Sequence, residues 1–273
     1  MSSFQQVTAN INRIDDVTHY PGQETDEQVP ASSQEYEGNI TFKNVTFGYS
    51  PVEPPLLQDI SIQLTKGKRV AIVGGTGSGK STLVKLATGL YTPWQGEILF
   101  DGKPIREWNK DQLFARIGSV EQDSCFFACS AEENITMFDK TIPHEQVVRA
   151  AEEAAIHKHI IAMQEGYSTG ILEGGANLSG GQRQMLDIAR ALCRDIRLLV
   201  LDEATSALDT VTETQVWNNI KSKGLTTLVV AHRLSTVRHC DEIVVLQDGK
   251  IAERGTHEEL MALGGLYRAM SEH

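Results

Sequence analysis

Long apolar runs are absent from this 273-residue chain. The longest, Leu198 to Leu201 and Leu228 to Ala231, are strand-sized and far shorter than the ~18 residues that suggest a membrane-spanning helix. Nothing in the sequence crosses a bilayer unaided. Cysteine is scarce as well: Cys125, Cys129, Cys193 and Cys240 form neither a CxxC pair nor a zinc-type spacing, so they read as reduced thiols. Positive charge is also short, with 25 Lys plus Arg against 36 Asp plus Glu and a formal net charge of −11. Proteins that live on phosphate backbones normally carry a net basic face, so this balance argues against DNA or RNA as the main partner. The first residues, MSSFQQVTANINRIDD, lack the basic start and apolar stretch of a secretory signal, which predicts a chain that stays in the cytoplasm. No internal repeat is visible. What the chain does have is 40% hydrophobic residues, enough for a sizeable core, and this excludes disorder for most of its length.

Composition divides the chain near Glu37. The polar stretch before it, with two prolines and almost no apolar anchor, reads as a tether. From Asn39 short β-rich runs take over: Ile40 to Phe47, Ile60 to Leu64 in alternation, and Arg69 to Val73 ending in a glycine-rich turn. They predict an antiparallel piece leading into a buried strand. Ser81 to Leu90 then reads as a helix, Gly96 to Ile105 as a hairpin with Asp101 and Gly102 at its tip, and Ile117 to Glu121 as a strand. Helical spacing covers Pro143 to about Met163, where His157 and His159 read as a solvated face, and a further helix starts near Ser179 and runs through Ala191. Alternation resumes with Arg197 to Leu201 as a strand, Val211 to Ser222 as a helix and Thr226 to Ala231 as a strand. A hairpin follows, Glu242 to Leu246 and Ile251 to Arg254 around Asp248 and Gly249, and Thr256-His-Glu-Glu259 is a capping box ahead of a C-terminal helix. Strands separated by helices imply an α/β class with a mostly parallel sheet covered on both faces.

The most specific local signal is Gly74-Gly-Thr-Gly-Ser-Gly79-Lys80-Ser81, which fits GxxxxGK[ST] and lies between an apolar strand and a helix. Gly74, Gly75, Gly77 and Gly79 let the backbone, with Thr76 and Ser78, wrap so that successive N–H groups point at phosphates. The helix beginning near Lys80 adds its positive dipole end. Lys80 is placed to neutralise β and γ phosphates and the Ser81 hydroxyl to ligate Mg²⁺, with Thr82 as another hydroxyl nearby. Such a loop needs an acidic partner for its metal at the end of another buried strand. Leu198-Leu-Val-Leu-Asp202-Glu203 supplies one: Asp202 is the metal candidate, and Glu203 is placed to polarise a water attacking the γ-phosphate.

Leu178-Ser-Gly-Gly-Gln182 precedes a helix about a hundred residues after that loop and about twenty before Asp202. In this order, and with Ala231-His-Arg233, the motifs make the chain resemble the nucleotide-binding domain of an ABC transporter, from about Asn39 to the C-terminus. The pentapeptide has a physical sense of its own as a second helix N-terminus with exposed N–H groups, a second anion site. The resemblance implies the ABC-ATPase fold: a P-loop core with a mostly parallel sheet, an antiparallel β subdomain, and a helical subdomain at approximately 123–190 carrying the signature. It implies residues 1–37 as a linker from a transmembrane domain and 38–273 as the ATP-binding domain. It also implies a head-to-tail homodimer, in which Ser179, Gly180, Gly181 and Gln182 of one copy meet the nucleotide held by the P-loop of the other, with ATP and Mg²⁺ at the joint.

Further positions match one by one. Tyr49, which composition alone would make a sheet aromatic, resembles the residue that stacks on adenine. Gln122 resembles the glutamine that reaches Mg²⁺ or the attacking water. His232, unaided a structural histidine at a strand end, resembles the switch histidine on the γ-phosphate, and Asp209 in Ser206-Ala-Leu-Asp209 resembles the anchor of the segment crossing the dimer interface. By this resemblance Glu203 is the general base, Lys80, Gln122 and His232 complete the catalytic set, and Ser81, Gln122 and Asp202 hold the metal. Asn12-Arg-Ile-Asp-Asp16 resembles the linker of exporter-type half-transporters. Leu172 to Ser179 resembles peptide and bacteriocin exporters, with Thr169-Gly-Ile-Leu-Glu173 in place of the commoner TxVGExG and Glu173 as a candidate contact to a membrane helix. The expected activity is ATP hydrolysis powering export at the cytoplasmic face of a membrane. Two rivals are a soluble ABC ATPase acting on nucleic acid or ribosomes and a P-loop kinase. The first is opposed by the absence of a long coiled coil between P-loop and signature, the second by the signature itself.

Overall fold

A computed structural model describes residues 29–30, 34–122, 124–231 and 233–272. Two sheets form its frame. The smaller one contains β1 (Ile40–Phe47), β2 (Leu57–Leu64), β4 (Gln95–Phe100) and the two-residue β5 (Lys103–Pro104), antiparallel in the order β2-β1-β4-β5. The larger sheet contains β3 (Arg69–Gly74), β6 (Ile117–Val120), β7 (Leu198–Asp202), β8 (Thr226–Val230), β9 (Glu242–Gln247) and β10 (Lys250–Gly255), in the order β10-β9-β3-β8-β7-β6. Its pairings are parallel except for the β9–β10 hairpin.

The continuous apolar strands of the larger sheet are buried on both faces, and alternate residues serve different cores. Val70, Ile72, Leu198, Val200, Val244 and Leu246 face a cluster shared with the small sheet and with α1 (Lys80–Ala87). Ala71, Val73, Leu199, Leu201, Ile243 and Val245 face a second cluster. That second cluster is closed by a helical layer: α3 (Ala131–Thr136), α4 (His144–Glu153), α5 (His157–Ile161), α6 (Gly180–Leu192) and α7 (Thr210–Ser222). A short α2 (Lys110–Phe114) lies between β5 and β6, α8 (Leu234–Val237) follows β8, and α9 (His257–Leu263) and α10 (Leu266–Ser271) end the chain. This is the two-sheet α/β arrangement with a separate helical layer that the motifs imply.

Three local differences from the sequence reading have clear causes. The helical spacing over 143–163 is broken at Ala155, which takes a left-handed φ of 62° between α4 and α5. Apolar periodicity did not reveal the break because Ala151 and Ala154 before it and Ile156 and Ile160 after it stay buried in the same cluster. The C-terminal helix is two helices, separated where Gly264 adopts a φ of 69°. The third difference lies just before β1. Tyr36, in the stretch read as a tether, is 2% exposed and packs edge-on against Phe100 and Trp108, each at 5.9 Å between ring centroids. The Asp101 carboxylate at the hairpin tip accepts hydrogen bonds from the backbone N–H groups of Glu37 and Asn39, so the approach to β1 is pinned. The earlier part of the stretch falls largely outside the described residues.

Candidate nucleotide site

Strand order decides where the motifs meet. Four parallel neighbours, β3, β8, β7 and β6, end at one edge of the large sheet. That edge therefore collects the glycine-rich loop after β3, Asp202 and Glu203 at the end of β7, and Gln122 two residues beyond β6. Crevices outside the carboxyl ends of parallel strands are where such folds bind ligands.

The loop from β3 to α1 is built on glycine for steric reasons at two points. A Cβ at Gly74 would lie 2.4 Å from the Leu246 carbonyl oxygen and 2.7 Å from Ser78 Oγ. Gly79, which caps α1 at a left-handed φ of 99°, would place its Cβ 2.5 Å from Leu57 Cδ2. Gly75, Thr76 and Gly77 are exposed and form the open mouth of the loop. Lys80 turns inward. It is 7% exposed, and its Nζ donates to the carbonyls of Gly74 at 2.9 Å and Gly75 at 3.0 Å. Burial pulls this ammonium below the usual lysine range, against the opposing pull of the Glu203 and Asp202 carboxylates. Ser78 Oγ is buried without a hydrogen-bond partner among the described residues.

Asp202 is 6% exposed, and burial raises its carboxyl above the usual range, although the Ser81 hydroxyl hydrogen-bonded to it works in the opposite direction. Its Oδ1 is buried without a partner among the described residues. An unsatisfied carboxylate oxygen beside a serine hydroxyl is a donor pair suited to a hard divalent cation. The described residues hold no cluster of three or more His, Cys, Asp or Glu able to cage a metal alone. Glu203 follows at a left-handed φ of 54°, with its N–H donating to the Val230 carbonyl at 3.1 Å. Gln122 is exposed, and His232 lies outside the described residues.

Tyr49 is 55% exposed, and its hydroxyl lies 3.0 Å from Thr82 Oγ1, so Thr82 links α1 to this ring. The ring stands edge-on to Phe47 and Tyr91, and Lys85 Nζ lies 5.9 Å from its centroid. An exposed aromatic beside a glycine-rich loop can stack on a planar base. On α6, Ser179 is the N-cap, and its hydroxyl accepts from the Gln182 N–H while Gln182 Oε1 accepts from the Ser179 N–H, a reciprocal capping box. Gly180 and Gly181 lie close to Ala207, and a Cβ on Gly181 would be 3.1 Å from the Ala207 carbonyl oxygen. Asp209 caps α7. The Thr212 hydroxyl and the Thr212 and Val211 N–H groups hold its carboxyl below the usual range.

Two residues of this neighbourhood carried no sequence signal. Gln184, on α6, hydrogen-bonds to the segment around Glu203. Glu213, 1% exposed on α7, accepts from the hydroxyls of Thr205 and Thr236, tying the turn after Glu203 to α8. In a sequence both look like ordinary helix-surface polar residues. Only packing distinguishes them.

A phosphate-type loop after β3, an aspartate–glutamate pair at the end of β7 and a capped LSGGQ helix over this two-sheet core define an ATP-binding domain of the ABC class. Comparison with known proteins agrees: residues 57–206 match the ABC transporter family, and the chain belongs to that family. It is 43% identical over 272 residues to the exotoxin translocation ATP-binding protein PaxB of Pasteurella aerogenes, spanning 98% of this chain and 38% of that protein. It is 41% identical over 272 residues to the toxin RTX-I translocation ATP-binding protein of Actinobacillus pleuropneumoniae, with the same coverage of 98% and 38%. The structure of a bacterial Atm1-family ABC exporter with ATP bound superposes with a TM-score of 0.89 at 37% identity, covering 97% of this chain and 47% of that one. The chain thus spans 38% of the length of these curated relatives.

Proposed function

We propose that this domain binds Mg-ATP at the β3–α1 loop, pairs head to tail with a second copy, and hydrolyses ATP to drive export of a polypeptide through a transmembrane domain of the same transporter. The observation that carries the reading is the polar state of the loop. Among the described residues, buried Lys80 donates to two loop carbonyls, and Ser78 Oγ and Asp202 Oδ1 are buried without partners. Phosphate oxygens and a cation supply what these groups lack.

In this reading Lys80 exchanges its carbonyl partners for phosphate oxygens, and Gly75 to Gly79 turn backbone N–H groups toward them. Ser81 and Asp202, with Gln122, would hold Mg²⁺, which supplies charge neutralisation at the phosphate oxygens. Glu203 takes the proton of the attacking water, while Gln122 and His232 orient water and γ-phosphate. Tyr49 stacks on the adenine, and Ser179, Gly180, Gly181 and Gln182 of the second copy close the site against water. Asp209, by capping α7, fixes the segment between the two copies. Residues 1–37 link the domain to the membrane part, which places it at the cytoplasmic face. The two relatives whose names refer to toxin translocation favour polypeptide cargo, and the net charge of −11 gives the nucleic-acid alternative no support.

Glu203→Gln tests the scheme, because it keeps the side-chain shape and removes the base. The variant should bind ATP, turn over slowly and accumulate as an ATP-bound dimer on a sizing column. A variant that stays monomeric at saturating Mg-ATP would overturn the head-to-tail reading. In the unmodified chain, specific ATPase activity should rise with protein concentration wherever dimers are scarce, and strict proportionality to enzyme would count against a shared site.

A further inference from the structure

Gln184 sits on the same helix as Ser179–Gly181 and is half-buried. Its carboxamide makes three hydrogen bonds to one short segment. Nε2 donates to the Glu203 carbonyl at 3.3 Å and to Ser206 Oγ at 2.9 Å, while Oε1 accepts from the Ala207 N–H at 2.7 Å. Only a side chain with both donor and acceptor can hold a carbonyl and an N–H on the same strip of backbone. The strip matters because Glu203 stands at a left-handed φ of 54°, which a non-glycine residue keeps only when its surroundings impose it. The Val230 carbonyl fixes the N–H side of Glu203, and Gln184 engages its carbonyl side. The start of the same helix leans on the same strip, since Gly181 lies against Ala207.

We propose that Gln184 is a positioning residue coupling the two nucleotide sites of the dimer, an inference that rests on the head-to-tail reading above. The N-terminus of α6 serves the partner's nucleotide, whereas Glu203 serves the nucleotide bound by its own chain. Gln184 joins them rigidly. When α6 settles on the partner's phosphates, the Glu203 carbonyl and the Ser206–Ala207 turn move with it, so the general base is set at one site by engagement at the other. Gln184 touches no reacting atom, and it acts through backbone position alone.

The test uses the full 273-residue chain carrying Gln184→Met, which keeps the side-chain length and removes all three bonds. Turnover should fall about tenfold, equal to ~1.4 kcal/mol in the barrier, and the Hill coefficient for ATP should drop toward one. The ATP affinity of the dilute monomer, measured by calorimetry with Glu203→Gln present to stop turnover, should stay within about twofold, and the melting temperature within about 5 °C. This split separates positioning from damage. A variant with parental turnover and cooperativity overturns the proposal, and so does one whose ATP affinity falls as far as its turnover. Gln184→Glu keeps an acceptor for the Ala207 N–H but cannot donate to the Glu203 carbonyl. It is judged by the same criteria if the methionine variant folds poorly. The Glu203→Gln chain alone distinguishes the two failures. If it never forms an ATP-bound dimer, the dimer reading falls and takes the coupling with it. If it dimerises while Gln184→Met turns over normally, only the coupling falls.

Discussion

Replacing Lys80 by alanine tests the proposal that this side chain recognises phosphate. In the chain as folded, the ammonium is buried and makes two hydrogen bonds, to Gly74 at 2.9 Å and Gly75 at 3.0 Å. In the proposed reading, those two bonds pass to phosphate oxygens when substrate binds. The free chain already makes two such bonds, so only the exchange of neutral carbonyls for anionic oxygens counts; at roughly 1–1.5 kcal/mol per bond, two exchanges amount to ~2–3 kcal/mol, or about 30- to 150-fold in dissociation constant. Folding stability should respond far less. Removing the side chain gives up the two bonds but also relieves the burial that already depresses this ammonium, and the two effects oppose one another. Of the freed carbonyls, that of Gly75 lies at the exposed loop mouth, and water reaches that of buried Gly74 through the space the side chain vacates. A net change in unfolding free energy of ~1 kcal/mol or less is expected. Calorimetric titration of Mg-ATP into Glu203→Gln chains with and without Lys80→Ala measures affinity free of turnover, and urea unfolding measures stability on the same samples. An affinity loss below about fivefold would refute the assignment of Lys80 to phosphate. A large loss accompanied by unfolding would refute the reasoning that separates the two effects.

Tyr36→Ala empties a site against Phe100 and Trp108 and should cost ~3–5 kcal/mol in urea unfolding; a loss under ~1 kcal/mol would mean that this stretch only tethers. Burial would push the Asp241 carboxyl up, but its hydrogen bonds from the Arg69 side chain and N–H outweigh that and hold it below the usual range. Its contribution is therefore present above the unfolded value and disappears as pH falls through the lower folded one. The stability gap between the parent and Arg69→Met should accordingly narrow below about pH 4, and a gap that is constant to pH 3 would contradict it. Glu203→Gln should trap the ATP-bound dimer, and Gln184→Met should lower turnover while leaving monomer ATP affinity intact.

Much of the site was legible because its motifs are local. A glycine-rich turn between strand and helix, an acid pair ending an apolar strand, and a helix start near Ser179 each specify backbone conformation within a few residues. Such short-range chemistry is written into residue types at fixed spacing. The break at Ala155 escaped because the apolar face continues across it, and Tyr36 escaped because a lone aromatic in a polar stretch reveals no partner. Gln184 and Glu213 escaped for the same reason, since a polar residue on a helix looks solvated until its neighbours are known.

Residue types at fixed spacing carried the separate parts of the candidate site: a glycine-rich loop of the phosphate-binding kind, an acidic pair ending an apolar strand, and a second helix N-terminus bearing LSGGQ. Only the tertiary structure decided how these parts stand together. Apolar strands buried on both faces look alike in sequence, so nothing in their residues states that β8 lies between β3 and β7. That order sets Asp202 beside Ser81 and brings the Val230 carbonyl to the Glu203 N–H. The contact of Gln184 with Glu203 spans nineteen residues of chain and exists only because α6 packs beside the end of β7. Long-range pairing depends on the summed fit of two cores, and no short segment carries that information.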